Sequence, residues 1–347
     1  MKPIILQGHS RPIKDIKFNK DGDLIFTASN DRLVTLWAAE TGERIGTFDH
    51  SAAINNITLT QDSKILISGD NTGISYFWEV STGKLLKKIE TEPYYNVRST
   101  DLSYGDKMLS VSFGGRNKDS ESFIYVYSLD DILRADVDKD LNILPGKLQP
   151  LKQIISNSSK FVNCRWINTN RNIVATKEDG TINMIDYDSR QIVKTAKVHS
   201  ETIMDMDVSR REEVIMTASK DGKAQIIDPD TFEIIHTLHP KDPTRNLNSC
   251  KISPLFSMGD ENEEKFHALV AGGQESRDVT TTHAKKGGFE LLFYNIMYGD
   301  ELGAIQGHFG PVNTVAFSPD GKLIASGAED ATIRVLKLDE EYMNLDK

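Results

Sequence analysis

The sequence predicts an all-β fold, a closed ring of seven four-stranded blades forming one domain over residues 1–347. Three observations carry this reading. A short apolar triplet recurs seven times; the segments around it alternate with period two; and the last unit lacks a strand that the first residues can supply.

The triplet is an apolar residue, a second three positions on, and a third two positions after that. It occurs as Ile13/Ile16/Phe18, Ile54/Ile57/Leu59, Val97/Thr100/Leu102 and Phe161/Cys164/Trp166. It continues as Ile203/Met206/Val208, Leu247/Cys250/Ile252 and Val312/Val315/Phe317. The third residues are separated by 41, 43, 64, 42, 44 and 65 positions. Four of these intervals match the period of about 40–45 residues of WD repeats, against roughly 33–34 for ankyrin or tetratricopeptide arrays. The expected fold is therefore a seven-bladed WD-repeat β-propeller.

Within each unit, LIFTAS, KILISG, EVIMTAS and KLIASG mix β-branched and aromatic residues between turn-forming NKDGD, TQDS and SPDGK. A further turn follows the third strand at ETGE (40–43), STGK (81–84) and DTFE (230–233). A short outer strand then follows, as RIGTF (44–48), LLKKIE (85–90) or EIIHTL (233–238). Four strands per unit is the pattern of a propeller blade. No segment sustains a helical apolar stripe over three turns.

The two long intervals contain polar intrusions, which read as loops inserted between strands. They are residues 114–122 and 130–147 in the third unit, and 257–265 and 272–288 in the sixth. Units three and six also lack the polar set described below, so they are expected to hold more weakly or to depend on partners.

The final unit stops at its third strand, IRVLKLD (333–339), followed by a polar tail over 340–347. The chain begins with KPIILQGH, whose QGH also ends the outer-strand segment ELGAIQGH (301–308). Residues 3–7 are thus expected to form the outer strand of the last blade. That pairing would close the ring non-covalently and leave only short edges.

Composition narrows the function classes. A formal net charge of −10 argues against a nonspecific phosphate-binding surface, and no basic, aromatic-interleaved run points to direct nucleic-acid binding. The two cysteines, Cys164 and Cys250, sit in apolar strand patterns and read as reduced, buried thiols of a cytoplasmic protein. The N-terminus lacks a signal-peptide apolar run, and no stretch reaches the ~18 residues of a membrane span, so no membrane association is expected.

His9, Ser29, Asp31 and Trp37 have the spacing GH…S-x-D…W of a WD repeat. His, Ser and Asp together invite a hydrolase reading. The packing reading is preferred: imidazole, hydroxyl, carboxylate and indole N–H would form a buried hydrogen-bond network, avoiding about 1–3 kcal/mol for each unsatisfied group. Repetition supports it. His199, Ser219 and Asp221 recur with Ile227 in place of Trp; His308 and Asp330 recur with Ala328 and Leu336 in place of Ser and Trp. In the second unit His50 and Trp78 flank Asp70 and Thr72 at the Ser and Asp positions. There is no G-x-x-x-x-G-K-[ST], H-E-x-x-H or C-x-x-C, and His236, His239, His267 and His283 lack metal-ligand spacing. No catalytic residue, cofactor or metal is assigned.

GHSRPIKDIKFNKDGDLIFTASND (8–31), ERIGTF (43–48), DVTTT (278–282) and GHFGPVNTVAFSPDGKLIASGAED (307–330) resemble the i-subunit family of eukaryotic translation initiation factor 3. The resemblance spans the chain, including the positions of the two long intervals. It implies a cytoplasmic, non-enzymatic scaffold in the complex that prepares the small ribosomal subunit for initiation. It also implies binding to the b subunit, through a C-terminal segment of b, and to the g subunit. In the innermost strand of the fifth unit, Asp205 and Asp207 are candidates to receive Arg or Lys side chains from a helix of b. The alternative for these two is a pair of solvated strand-end carboxylates. The DVTTT insert is a second candidate surface. The runner-up functions are a WD scaffold of a signalling or ubiquitin-ligase complex, and a propeller hydrolase with ionisable residues converging in its channel. The channel-side residues Lys17, Thr58, Asp101, Arg165, Asp207, Lys251 and Ala316 are mixed in sign and do not form a metal cage.

Overall fold

The computed structural model describes residues 3–90, 95–115, 117, 121–144, 146–156, 158–241, 245–256, 265–274, 288–339 and 342. The DVTTT segment and most of the two sixth-unit inserts lie outside these residues. Seven four-stranded antiparallel sheets make the fold a seven-bladed β-propeller, as the repeat predicts.

Strand β1 (Ile4–Leu6) precedes the first blade. Blade 1 is β2 (Ile13–Phe18), β3 (Leu24–Ser29), β4 (Leu33–Ala38) and β5 (Arg44–Asp49); blade 2 is β6 (Ile54–Leu59), β7 (Ile65–Asp70), β8 (Ile74–Glu79) and β9 (Leu85–Glu90). Blade 3 comprises β10 (Tyr95–Leu102), β11 (Met108–Gly115), β12 (Ser122–Ser128) and β13 (Lys152–Ser156), with a short helix α1 (Leu129–Arg134) after β12. Blade 4 is β14 (Phe161–Ile167), β15 (Asn172–Lys177), β16 (Thr181–Asp186) and β17 (Ile192–Lys197). Blade 5 is β18 (Ile203–Val208), β19 (Ile215–Ser219), β20 (Ala224–Ile227) and β21 (Ile234–Leu238). Blade 6 is β22 (Asn246–Ile252), β23 (His267–Gly273), β24 (Glu290–Asn295) and β25 (Glu301–Gln306). Blade 7 takes β26 (Val312–Phe317), β27 (Leu323–Ala328) and β28 (Ile333–Lys337), and β1 completes it. All seven apolar triplets fall on the first strands of their blades.

The chain packs as two compact units, residues 1–29, 36–45 and 198–347 in the first and 30–35 and 46–197 in the second. In the first, β1 runs antiparallel to β28 in the register Ile4↔Val335, Ile5↔Arg334, Leu6↔Ile333. Alternation then buries Leu6, which is 1% exposed, among Ile13, Ile16, Trp37, Ile333 and Val335, while Ile5 faces out. The turn after β4 presses on the same strand: at Gly42, with φ +74°, an added Cβ would lie 2.7 Å from Ile4 and 2.8 Å from Leu6. Only glycine accepts both that dihedral and that approach. Elsewhere in this unit the core is sheet packed on sheet. One cluster joins β19, β20 and β21 to β22, β23 and β24; another joins β23 and β24 to β26, β27 and β28. Asn248 Nδ2 donates to the Val312 carbonyl at 3.1 Å and Asn313 Nδ2 to the Ile13 carbonyl at 2.9 Å, tying successive inner strands together.

Within the expected polar tail, residue 342 is described. Tyr342 is buried, its ring 5.6 Å from Phe293, with its hydroxyl 3.1 Å from His267 Nδ1.

In the second unit Asn55 makes the same inter-blade bond, Nδ2 to the Val97 carbonyl at 2.9 Å. The 130–147 insert, read as a loop, has structure. Ser128 caps α1 by accepting the Asp131 N–H, and Leu129 and Ile132, three apart on the helix, bury against the Phe77–Val97–Phe113 cluster. The insert then returns along β9, where Lys88 N–H donates to the Leu141 carbonyl and Ile143 N–H to the Lys88 carbonyl. It thus covers the outer edge of blade 2, an edge that would otherwise be open to pairing with another chain. Both thiols are free and buried, as expected, and burial pushes Cys164 up to about 11 and Cys250 well above its usual value.

Candidate functional site

The repeated histidines occupy equivalent places, and each shows what the polar set does. In blade 5, His199 Nδ1 stands 3.0 Å from an Asp221 carboxylate oxygen and Nε2 stands 2.9 Å from Thr217 Oγ1. Asp221 also accepts N–H bonds from Ser200 and Lys223. In blade 7, His308 Nδ1 lies 3.2 Å from Asp330 and Nε2 2.8 Å from Ser326 Oγ, while Asp330 accepts from the Phe309 and Thr332 N–H groups. With Nδ1–H donating to the carboxylate, Nε2 is left to accept from the hydroxyl.

Blade 1 shows the far end of this chain. His9 Nε2 is 2.8 Å from Thr27 Oγ1, and Trp37 Nε1 donates to the same hydroxyl at 2.9 Å. Blade 2 repeats it with His50 Nε2 2.6 Å from Ser68 Oγ and Trp78 Nε1 donating at 3.2 Å. Thr and Ser hydroxyls bridge imidazole to indole, each both donating and accepting.

This corrects the sequence reading at one position. The bridging hydroxyl is Thr27 in blade 1 and Thr217 in blade 5, not Ser29 or Ser219. Ser29 Oγ donates to the Arg11 carbonyl at 3.0 Å and Ser219 Oγ to the Glu201 carbonyl at 3.3 Å, each closing the entrance of its blade. Asp31, in the second unit, accepts the Leu33 N–H at 3.1 Å and shapes the turn into β4. A signal for the missed residues was present: His to hydroxyl is 18 positions in every case, 9 to 27, 50 to 68, 199 to 217 and 308 to 326. Ser29 and Ser219 are 0% exposed and Trp37 is 2% exposed, so these groups are presented to one another rather than to a substrate. Among the described residues no cluster of three His, Cys, Asp or Glu could hold a metal ion.

The network has a pH consequence. Burial pushes the His50 imidazole down to about 4 from 6.5, against the raising pull of the Phe48 and Arg32 carbonyls. Between those two values the unfolded chain takes up a proton that the folded one refuses. Stability is therefore expected to fall as pH drops from 6.5 to about 4, by roughly 1.4 kcal/mol per unit and about 3 kcal/mol in all. Asp221 acts in a lower window. Burial opposes its ionisation, but the His199 hydrogen bond and charge and the backbone N–H groups outweigh it and hold the carboxyl at about 2. Its contribution is present above pH 3.8 and is lost as pH falls through 2. Urea unfolding at pH 7, 5.5 and 4.5 should show the first slope, and His50→Gln should flatten it. A slope unchanged in the variant would remove His50 as the cause.

Asp205 and Asp207 sit on β18, but not as solvated carboxylates. Asp205 Oδ2 accepts from Ser249 Oγ at 2.7 Å, the Cys250 N–H at 3.2 Å and Lys251 Nζ at 2.7 Å, all on β22 of the next blade. Asp205 is thus engaged within the fold. Asp207 Oδ2 accepts the Ile252 N–H at 2.9 Å; its other oxygen makes no hydrogen bond with a described residue, and the residue is half-buried. The same staple recurs in the second unit, where Asn56 Oδ1 accepts from the Thr100 N–H at 2.8 Å and Asp101 from the Trp166 N–H at 2.8 Å. Of these two acceptors, Asn56 carries no mark in the sequence, and Asp101 is marked only as a channel-side position.

Exposed apolar side chains lie on outer strands and turns. In the first unit Ile234 and Ile235 on β21 are 45% and 47% exposed, and Met297 and Tyr298 in the β24–β25 turn 52% and 77%. A Cβ added at Gly299, next to Tyr298, would lie 3.8 Å from His236 and Leu238 of β21. In the second unit Ile192 and Val193 on β17 are exposed in the same way. Contiguous apolar surface of this kind marks protein–protein contacts. Among the described residues no helix is long and apolar enough to cross a membrane.

The sequence is also similar to known proteins. The EIF3I family model matches residues 1–347. Eukaryotic translation initiation factor 3 subunit I of Xenopus tropicalis and that of Homo sapiens are each 33% identical over 347 residues, covering 100% of this chain and 99% of theirs. The Dictyostelium discoideum subunit is 34% identical over 346 residues, covering 100% of this chain and 97% of its own.

Proposed function

We infer the function from one premise: the chain belongs to the family of subunit I of eukaryotic translation initiation factor 3. Its role is that of a translation initiation factor 3 subunit, and the observation that carries this is a match over the full length. We read it as a non-enzymatic scaffold, one cytoplasmic domain of residues 1–347 with no cofactor. The buried, mutually satisfied His, Ser/Thr, Asp and Trp groups favour packing over chemistry.

Its proposed partners are the b subunit, through a C-terminal segment, and the g subunit, with the small ribosomal subunit engaged through the complex and no direct nucleic-acid contact. Asp207 is the proposed acceptor for a basic residue of b, because one of its oxygens is uncommitted at a half-buried strand position. A charge-assisted pair there would set orientation and specificity. The exposed Ile234, Ile235, Met297 and Tyr298, at the far edge of blade 5 and in the following turn, supply a separate apolar surface.

Affinity purification of the tagged protein, followed by mass spectrometry, tests both levels. Initiation-factor subunits and small-subunit ribosomal proteins should co-purify with the wild type. With Asp207→Lys, the b subunit should be reduced at least about tenfold while melting temperature changes little. Recovery of a ligase or receptor complex overturns the scaffold assignment; full retention of b by the folded variant overturns the Asp207 contact alone.

A further inference from the structure

Blades 1 and 2 each seat an indole against a bridging hydroxyl, and blade 7 has the seat without the indole. Leu336 stands where Trp37 stands in blade 1. Ser326 Oγ keeps its bond to His308 Nε2, and makes no second hydrogen bond with a described residue. Donating to Nε2 leaves its lone pairs open, whereas the equivalent oxygens of Thr27 and Ser68 accept an indole N–H.

The missing ring leaves space. A cavity of about 220 Å³ is lined by Leu291, Ile305, His308, Ser326, Arg334 and Leu336, among others. An apolar cavity of about 150 Å³ suffices to hold a benzene ring. One wall is cationic. The Arg334 guanidinium lies over Gly307, where an added Cβ would be 2.8 Å from its Nη1; it reaches the spot that the Trp37 ring edge holds over Gly8, so a ring entering the cavity stacks on it rather than repeating the Trp37 pose. Arg334 Nε is buried without a hydrogen-bond partner. A planar guanidinium of this kind offers its face to an aromatic ring. The cavity shares Gln306, Gly307 and His308 with a wider groove of about 590 Å³, where Phe309 is 79% exposed. A groove of that size admits the chain that carries a ring, as well as the ring itself.

We propose that this blade 7 cavity is a receptor for a tryptophan side chain presented by a partner polypeptide. The indole enters the open space beside Leu336, donates its N–H to Ser326 Oγ, and stacks on Arg334 between Leu291 and Ile305. The proposal stands apart from the assembly reading, because it rests on the geometry of one blade against its internal counterparts.

Indole and its isostere indene, which lacks the N–H, distinguish a built site from an apolar hole. Titration of the full-length protein with each should perturb the methyl resonances of Leu291, Ile305 and Leu336, with indole about fivefold tighter, as one hydrogen bond requires. N-acetyl-tryptophanamide should bind, and N-acetyl-leucinamide should not. Ser326→Ala should abolish the preference for indole over indene while still binding both. Leu336→Trp should block all three aromatic probes. Should that variant fail to fold, the indole-to-indene ratio of the wild type still decides. Equal affinity for indole and indene, or no perturbation of those methyls, overturns the proposal.

Discussion

Deleting residues 1–7 should lower the melting temperature by at least about 10 °C and leave a chain prone to self-association. The expectation follows from where β1 goes. Leu6 is 1% exposed in a cluster with Ile13, Ile16, Ile333 and Val335, and loss of one such side chain costs about 2–5 kcal/mol. Ile4 and the ladder with β28 go with it, and Gly42 loses the two side chains its turn packs against. A total of about 5 kcal/mol at roughly 2 °C per kcal/mol gives the stated shift. The deletion also bares the edge of β28, a template for pairing with other chains. Differential scanning calorimetry and size-exclusion chromatography measure the two effects. Leu6→Asp keeps the chain length and should reproduce most of the loss. An unchanged melting temperature in the deletion would mean that β1 is not what holds blade 7 to its neighbour.

The propeller was legible because its signals are local and repeated. A strand shows itself by period two, a turn by Asp-Gly or Thr-Gly, and seven recurrences of one triplet leave little freedom of register. The missing fourth strand of blade 7 was visible for the same reason, as a gap in a repeat. The 130–147 insert was misjudged because its helix is six residues long and its burial depends on Phe77 and Val97, far away in sequence. A polar stretch whose apolar contacts are as scattered as Ile132, Leu133 and Ile143 gives no periodicity to read.

The polar network was half legible for a different reason. The Ser-x-Asp pattern attracts attention to Ser29 and Ser219, yet strand alternation places the hydroxyl two residues earlier on the same face as a neighbour, at Thr27 and Thr217. The constant spacing of 18 from each histidine would have chosen correctly. The inter-blade staples obey an offset too: Asn56 reaches Thr100 and Asp205 reaches Ser249, each 44 residues on. That offset is the repeat period plus little else. Where an insert intervenes it stretches, as from Asp101 to Trp166, and pattern alone no longer finds it.

The second large effect is expected at Asp205. Asp205→Ala removes one carboxylate and takes an acceptor from several donors on β22 at once: Ser249 Oγ, the Cys250 N–H and Lys251 Nζ, which keeps only uncharged acceptors such as the Cys250 carbonyl among its described hydrogen bonds. The Asp205 and Lys251 side chains are only 17% and 13% exposed, so the ammonium left behind is poorly hydrated. Removing one partner from a buried pair typically costs about 3–5 kcal/mol, most of it from the charge that remains. Asp207→Ala removes an acceptor from a single N–H, that of Ile252, and should cost about 1 kcal/mol. The double variant Asp205→Leu/Lys251→Met tests the origin of the loss. If the stranded charge is the cause, removing both members should recover most of the stability, giving a coupling of at least about 2 kcal/mol in urea unfolding. Additive losses would instead assign the effect to the Ser249 and Cys250 bonds. A negligible loss in Asp205→Ala would show that β18 and β22 are held without the Asp205 bonds, by their apolar side chains and the Asp207–Ile252 link, and would return Asp205 to the set of residues available to a partner.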